Sequence, residues 1–162
     1  YIDGKKIKCK IWDTAGQETY NSLIRTYFRN ITGAMIVFDG NNPDTLEDVA
    51  NVWIPEILKN NPISKPTMIL IENKTDLPRK ISENRLLDII NEHNLLYIKT
   101  SVLHNTNTKN VLQKLCEHIY INMDGTMYDN NNKHIEIGAK TDRYVNLDAK
   151  KEDSYYGYYC CA

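Results

Sequence analysis

The sequence lacks the features that mark several large protein classes. Its 20 lysines and arginines stand against 21 aspartates and glutamates, a formal net charge of −1. No basic balance points to nucleic acid, and no acidic excess points to a solvating tail protein. No apolar run reaches the roughly 18 residues of a membrane span, and the first residues carry no signal-peptide pattern. Cysteine is scarce: four in 162 residues, with Cys160 and Cys161 adjacent. Adjacent cysteines seldom pair, so a disulfide framework is excluded and a reducing, cytosolic setting is expected. His93, His104, His118 and His134 are scattered without ligand spacing, so no structural metal is expected. What is present is 41% hydrophobic and 25% charged, an ordinary globular composition for one domain with a core plus a tail.

Tyr1 is not an initiator Met, and the expectation is a processed chain or a fragment. Residues 5–12 alternate: Ile7, Cys9 and Ile11 share one face, Lys8, Lys10 and Trp12 the other, as in a half-buried strand. Asp3-Gly4 is a hairpin turn with only two residues before it, so the chain is expected to begin inside a hairpin. Continuous apolar runs at 34–38, 67–71 and 95–98 predict strands buried on both faces of a parallel sheet. Between and after them, Leu46, Val49, Trp53 and Ile57, then Leu86, Leu87 and Ile90, then Val111, Leu112, Leu115 and Ile119 recur at helical spacing. Pro55 should kink the first helix or remove one of its backbone bonds. Cys9 and Cys116 fall on core faces and are read as inert packing. The alternation predicts a doubly wound α/β domain over residues 1–121. From Asn122 the pattern fades. Residues 123–162 hold seven acids and five bases and end YYGYYCCA, which predicts a flexible extension.

Three short motifs carry chemistry, each weak alone. Asp13-Thr14-Ala15-Gly16-Gln17-Glu18 follows a strand, where open α/β sheets bind ligands. An aspartate there can hold magnesium, a glycine lets a backbone N–H approach a phosphate, and a glutamine can orient water. Asn73-Lys74-Thr75-Asp76 follows the next apolar strand but one, and its carboxylate can accept two parallel hydrogen bonds from a guanine edge. Thr100-Ser101 follows the last strand, where a backbone N–H can meet the guanine oxygen. In isolation the plain readings come first: a strand-to-loop turn, a polar turn and a helix-entry loop.

Together and in order, WDTAGQE, NKTD and TSV resemble the small GTPases of the Ras superfamily, with TSV standing where the family has SAK. The stretch YNSLIRTYFRNITGAMIVFD and the terminal double cysteine look like the Rab branch. The resemblance implies a P-loop NTPase-like fold and a switch that binds GTP or GDP with Mg2+ and hydrolyses GTP in vesicle traffic. It implies that Asp13 supports magnesium through water, the Gly16 N–H contacts the γ-phosphate, and Gln17 positions the hydrolytic water. Asn73 would brace the nucleotide loop, Lys74 pack along the base, and Asp76 select guanine, with Thr100, Ser101 and Val102 beside it. Residues 16–29 would be the switch that exchange factors, GTPase-activating proteins and effectors read, with Tyr20, Leu23, Tyr27 and Phe28 facing partners. For Leu23 and Phe28, helix packing is weighed equally. Cys160 and Cys161 would be prenylated by a transferase with its escort machinery, bringing the chain to the cytoplasmic face of an endomembrane, from which it cycles through the cytosol. Two lipids fit a tail without a polybasic patch, because one chain anchors only marginally. The tail tyrosines Tyr155, Tyr156, Tyr158 and Tyr159 can lie at the interface.

Departures from the family are specific. Glu72 stands where the family usually has Gly, and Val102 and Leu103 replace the Ala and Lys of SAK. Leu103 cannot supply the family's charged side chain over the base, so weaker guanine binding is expected there. No GxxxxGK[ST] occurs; the phosphate cradle, its central strand and the first switch lie upstream of Tyr1 in the family. Charge-assisted hydrogen bonds are worth roughly 1.5–3 kcal/mol each, so losing several removes on the order of 10 kcal/mol, most of a nanomolar affinity. A missing central strand would leave a slot in the sheet. The expectation is that these 162 residues alone neither bind GTP tightly nor fold well. Two alternatives stay open: a short, membrane-tethered interaction module that binds no nucleotide, and an unrelated α/β enzyme.

Overall fold

A computed structural model describes residues 1–2, 6–14, 27–123 and 154–161. The Asp3-Gly4 turn, Gly16, Gln17, Tyr20 and Leu23 lie outside them. Among the described residues, five strands form one sheet: β1 (Lys6–Asp13), β2 (Gly33–Asp39), β3 (Thr67–Asn73), β4 (Leu96–Lys99) and β5 (Ser154–Cys161). Their order is β1-β5-β2-β3-β4, and every pairing is parallel. Parallel strands point their carboxyl ends to one edge, so Asp13, Asp39, Asn73 and Lys99 end their strands on that edge.

The three apolar runs form β2, β3 and β4 as the pattern requires. In β3, alternate residues split between two cores. Met68 and Leu70 pack with Phe28, Ile36, Leu46, Ile57 and Leu86 on one face, and Ile69 and Ile71 with Val111, Leu115 and Ile119 on the other. Each fully buried aliphatic contributes about 1.5–3 kcal/mol, so both faces must be covered. Helices α1 (Pro43–Asp48), α2 (Ile54–Asn60) and α3 (Glu83–His93) cover the first face and α4 (Asn110–Met123) the second.

Pro55 has the effect its chemistry requires. A π-helical turn, Val49–Trp53, separates α1 from α2, and the Ile54 N–H donates to the Val49 carbonyl five residues back. Pro55 then sits in the first turn of α2, where the missing N–H is harmless. In α3 the buried positions are Leu86 and Ile89, while Leu87 is exposed. Ser82 caps the start by accepting from the Arg85 N–H, and Asn94 ends the helix in the left-handed region at φ 52°.

One open alternative is decided and one expectation needs correcting. Phe28 is fully buried in the first core, so of its two readings helix packing holds and it faces no partner. The segment from 122 onward is not a flexible extension throughout: α4 continues to Met123, and Ser154–Cys161 pairs on both sides, Cys160 with Trp12 and Ala34, Cys161 with Asp13 and Met35. This strand lies between β1 and β2, where a tyrosine-rich segment of high strand propensity pairs its backbone N–H and C=O groups on both sides. Cys9 and Cys116, 107 positions apart, bring their sulfurs to 3.5 Å across the second core.

Candidate functional site

The carboxyl edge of β2, β3 and β4 carries a connected polar network. β3 ends in Asn73, whose side-chain oxygen accepts from the Thr100 hydroxyl and the Val102 N–H, both at 3.3 Å. Thr100 and Ser101 are buried immediately after β4. The Ser101 hydroxyl donates to the Asp76 carboxylate at 2.5 Å, and its oxygen accepts from the His104 N–H at 3.1 Å. The Thr75 N–H and hydroxyl both donate to the Thr100 carbonyl, at 3.2 and 2.8 Å. The post-β3 and post-β4 loops are thus one unit. Asn73, Thr75, Asp76, Thr100, Ser101 and Val102 meet there although 24 or more positions separate the two stretches.

The electrostatics favour an ionised Asp76. The Ser101 hydroxyl holds its carboxyl below the usual range, with His104 and Lys74 adding to the effect. A carboxylate offers about four acceptor sites, so one bond from Ser101 leaves capacity for two more donors. The backbone N–H groups of Thr100, Ser101 and Val102 are engaged within the protein, by the Glu72 carbonyl, the Thr106 carbonyl and the Asn73 side chain. Ser101 therefore acts on this edge through its hydroxyl. The side chains of Val102 and Leu103 are exposed.

Lys74 takes a left-handed conformation at φ 61°, unusual for a residue with a Cβ. Its ammonium reaches Asp39 at the end of β2, 2.7 Å away. That contact holds the Asp39 carboxyl below its usual value, aided by the Asn41 N–H. Sequence reading passed over Asp39, although an acid closing an apolar strand is the same signal that marked Asp13. Glu72 is buried, yet Arg79 donates to both of its oxygens, at 2.9 and 3.1 Å, and the Tyr97 hydroxyl donates to one.

Asp13 is exposed at the end of β1, on the same edge but two strands from β2. Among the described residues no three His, Cys, Asp or Glu side chains gather as a metal cage. A single exposed carboxylate suits magnesium, which keeps waters and takes one or two carboxylates plus phosphate oxygens. Beside Asp13, the Trp12 and Tyr27 rings meet at a 42° tilt with centroids 5.1 Å apart, and the Lys10 ammonium lies 4.1 Å from the Trp12 ring centroid. Tyr27 remains partly exposed, unlike Phe28.

A family model described as Ras, Ras family, matches residues 1–121. Ras-related protein RABA5d of Arabidopsis thaliana is 30% identical over 164 positions, covering 99% of this chain and 74% of that protein. Ras-related protein Rab-5B of Plasmodium falciparum (isolate 3D7) is 33% identical over 129 positions, 80% of this chain and 61% of that protein. Ras-related protein YPTC6 of Chlamydomonas reinhardtii is 31% identical over 163 positions, with 99% and 74% covered.

Proposed function

The chain belongs to the Ras family of small GTPases, and we propose that its β3 and β4 loops read a guanine base as part of a Rab-like switch in membrane traffic. The observation that carries this reading is the Ser101–Asp76 hydrogen bond joined to the Asn73 bridge. An ionised carboxylate held in one orientation accepts two donors from a guanine edge. Adenine presents no such pair. Asn73 ties the loops together, and Lys74, anchored on Asp39, offers its aliphatic stem to the base plane. Asp13 supports magnesium through water; bound with GTP, the ion would neutralise phosphate charge. Gly16 and Gln17 carry the γ-phosphate contact and the orientation of the attacking water. Residues 16–29 form the partner-reading switch, with Tyr27 supported by Trp12.

The tail delivers the chain to an endomembrane through isoprenoids on Cys160 and Cys161. A lipid transferase needs an extended, accessible terminus. Attachment therefore requires β5 to leave its place between β1 and β2.

The test is nucleotide selectivity. Asp76→Ala should abolish the preference for GDP over ADP while leaving the fold intact by circular dichroism. Equal binding of the two nucleotides by the unsubstituted protein contradicts the reading. In a chain that turns over GTP, Gln17→Leu should slow hydrolysis and spare binding.

A further inference from the structure

Behind the base-reading loop sits a buried charge that the guanine reading leaves unused. Glu72 is the sixth residue of β3 and 2% exposed. Its carboxylate takes a two-pronged fork from Arg79, Nε to Oε1 at 2.9 Å and Nη2 to Oε2 at 3.1 Å, and the Tyr97 hydroxyl from β4. Arg79 extends through Nη1 to Glu83 at the start of α3. The fork closes a ring over residues 73–78, the stretch that holds Asn73, Lys74 and Asp76. Gly40, at the end of β2, lies against the same carboxylate: a Cβ there would sit 2.8 Å from Oε1 and 3.0 Å from Cγ. Its backbone ties the ring at both ends. The Gly40 N–H donates to the Asn73 carbonyl at 3.0 Å, and its carbonyl accepts from the Lys80 N–H at 2.9 Å.

We propose that Glu72, Arg79 and Tyr97 are positioning residues that hold the loop over 73–78 in its guanine-reading shape before nucleotide arrives; the identity of the ligand rests on the Rab-like reading above. A loop ordered in advance loses less conformational freedom on binding. The planar guanidinium suits the task because its donors match a carboxylate in one geometry, which a lysine ammonium does not impose. Burial strengthens each bond and makes an unmatched partner costly, so the three groups hold or release together. The resemblance made Glu72 only a departure from the family's usual Gly. The geometry makes it the site's brace.

The experiment is amide hydrogen exchange on the 162-residue chain without nucleotide, followed by titration with GDP or ADP and magnesium into the millimolar range that weak binding requires. Arg79→Met should raise exchange at Thr75, Leu77 and Lys80 at least tenfold, and leave Ile69 and Ile36 in the strands unchanged. Because Arg79→Met strands a buried charge, the paired change Glu72→Gln with Arg79→Met is made as well. It should keep the parent's thermal midpoint within a few degrees yet still release the three loop amides. Arg79→Lys should not restore their protection. In the titration the paired variant should lose GDP affinity about tenfold, with ADP binding unmoved. Loop amides as protected in the folded paired variant as in the parent overturn the clamp, and so does an equal rise in loop and strand. A parent without preference for GDP overturns the guanine reading, while the exchange result still decides whether the clamp holds the loop.

Discussion

Gly40→Ala tests the packing around Glu72 with one methyl group. The Gly40 φ lies outside the left-handed region, so the backbone itself accepts alanine. By reducing unfolded-chain entropy, the change alone should stabilise by about 0.4–1 kcal/mol. The obstacle is Glu72. The new Cβ would meet Oε1 at 2.8 Å, closer than a Cβ comes to any neighbour, and Cγ at 3.0 Å and Cδ at 3.2 Å, both tighter than ordinary contact. A solvent-exposed glutamate would swing aside. This one is held by Arg79 and Tyr97, so overpacking of roughly 1–3 kcal/mol should result. The net expectation is a loss of about 1–2 kcal/mol, a fall in thermal midpoint of roughly 2–4 °C per kcal/mol for a chain of this size. With Glu72→Ala as background the obstacle is gone, and Gly40→Ala should stabilise. Urea denaturation of the four proteins, followed by circular dichroism, gives the coupling energy, expected near 2 kcal/mol. An effect of Gly40→Ala that is the same in both backgrounds, within about 0.5 kcal/mol, refutes the reasoning.

Other outcomes follow from the same structure. Asn61 is buried; its amide donates to the Phe28 and Ile57 carbonyls at 2.6 and 2.8 Å and its oxygen accepts from the Ile31 N–H at 3.2 Å. Asn61→Ala orphans three backbone groups and should cost roughly 2–4 kcal/mol in urea titration, and Asn61→Asp, which replaces two donors by acceptors, should cost more. Asp39 and Glu47 have carboxyl pKa values lowered from 3.8 and 4.5, chiefly by hydrogen bonds from Lys74 and Arg85 respectively. A lowered folded value means a contribution complete above those unfolded values and lost as pH falls through the folded ones. Stability should therefore decline on the acid side of about pH 4.5, and the Asp39→Asn plus Glu47→Gln variant should decline less steeply there; an unchanged slope would remove these pairs from the account. For the tail, Cys160→Ser with Cys161→Ser should eliminate two isoprenoid mass increments from the cellular protein and shift it from membrane to cytosol fractions. An unmodified parent terminus defeats that part of the proposal.

Much of the sheet was legible because burial on both faces leaves a plain mark. Apolar runs named β2, β3 and β4, and the motifs after β3 and β4 lay at the edge where a parallel sheet gathers its carboxyl ends. Pairwise chemistry was not legible. Glu72 and Arg79 are only seven positions apart, but whether a strand-end glutamate turns inward depends on Tyr97 in β4 and on the missing Cβ of Gly40 just after β2. Asn61 was hidden for a different reason. In a chain this rich in asparagine, one that satisfies three buried backbone groups looks like the others in the sequence. Phe28 shows the limit of reading a partner surface from aromatic content: Tyr27 and Phe28 are adjacent, and one is partly exposed while the other is fully buried. The tail was read from its charge and low complexity. Strand propensity over Ser154–Cys161, with backbone pairing on both sides, proved the stronger influence.

The central claim is that the loops after β3 and β4 form one guanine-reading unit. Its most direct measurement is a titration of the isotopically labelled chain with GDP or ADP, each with magnesium, followed by amide chemical shifts. The account predicts that GDP moves Asn73, Asp76, Ser101 and Val102 together, along one saturating curve, that ADP leaves them in place, and that Asp76→Ala abolishes the response. Equal shifts with both nucleotides, or GDP shifts confined to residues away from these two loops, would contradict it.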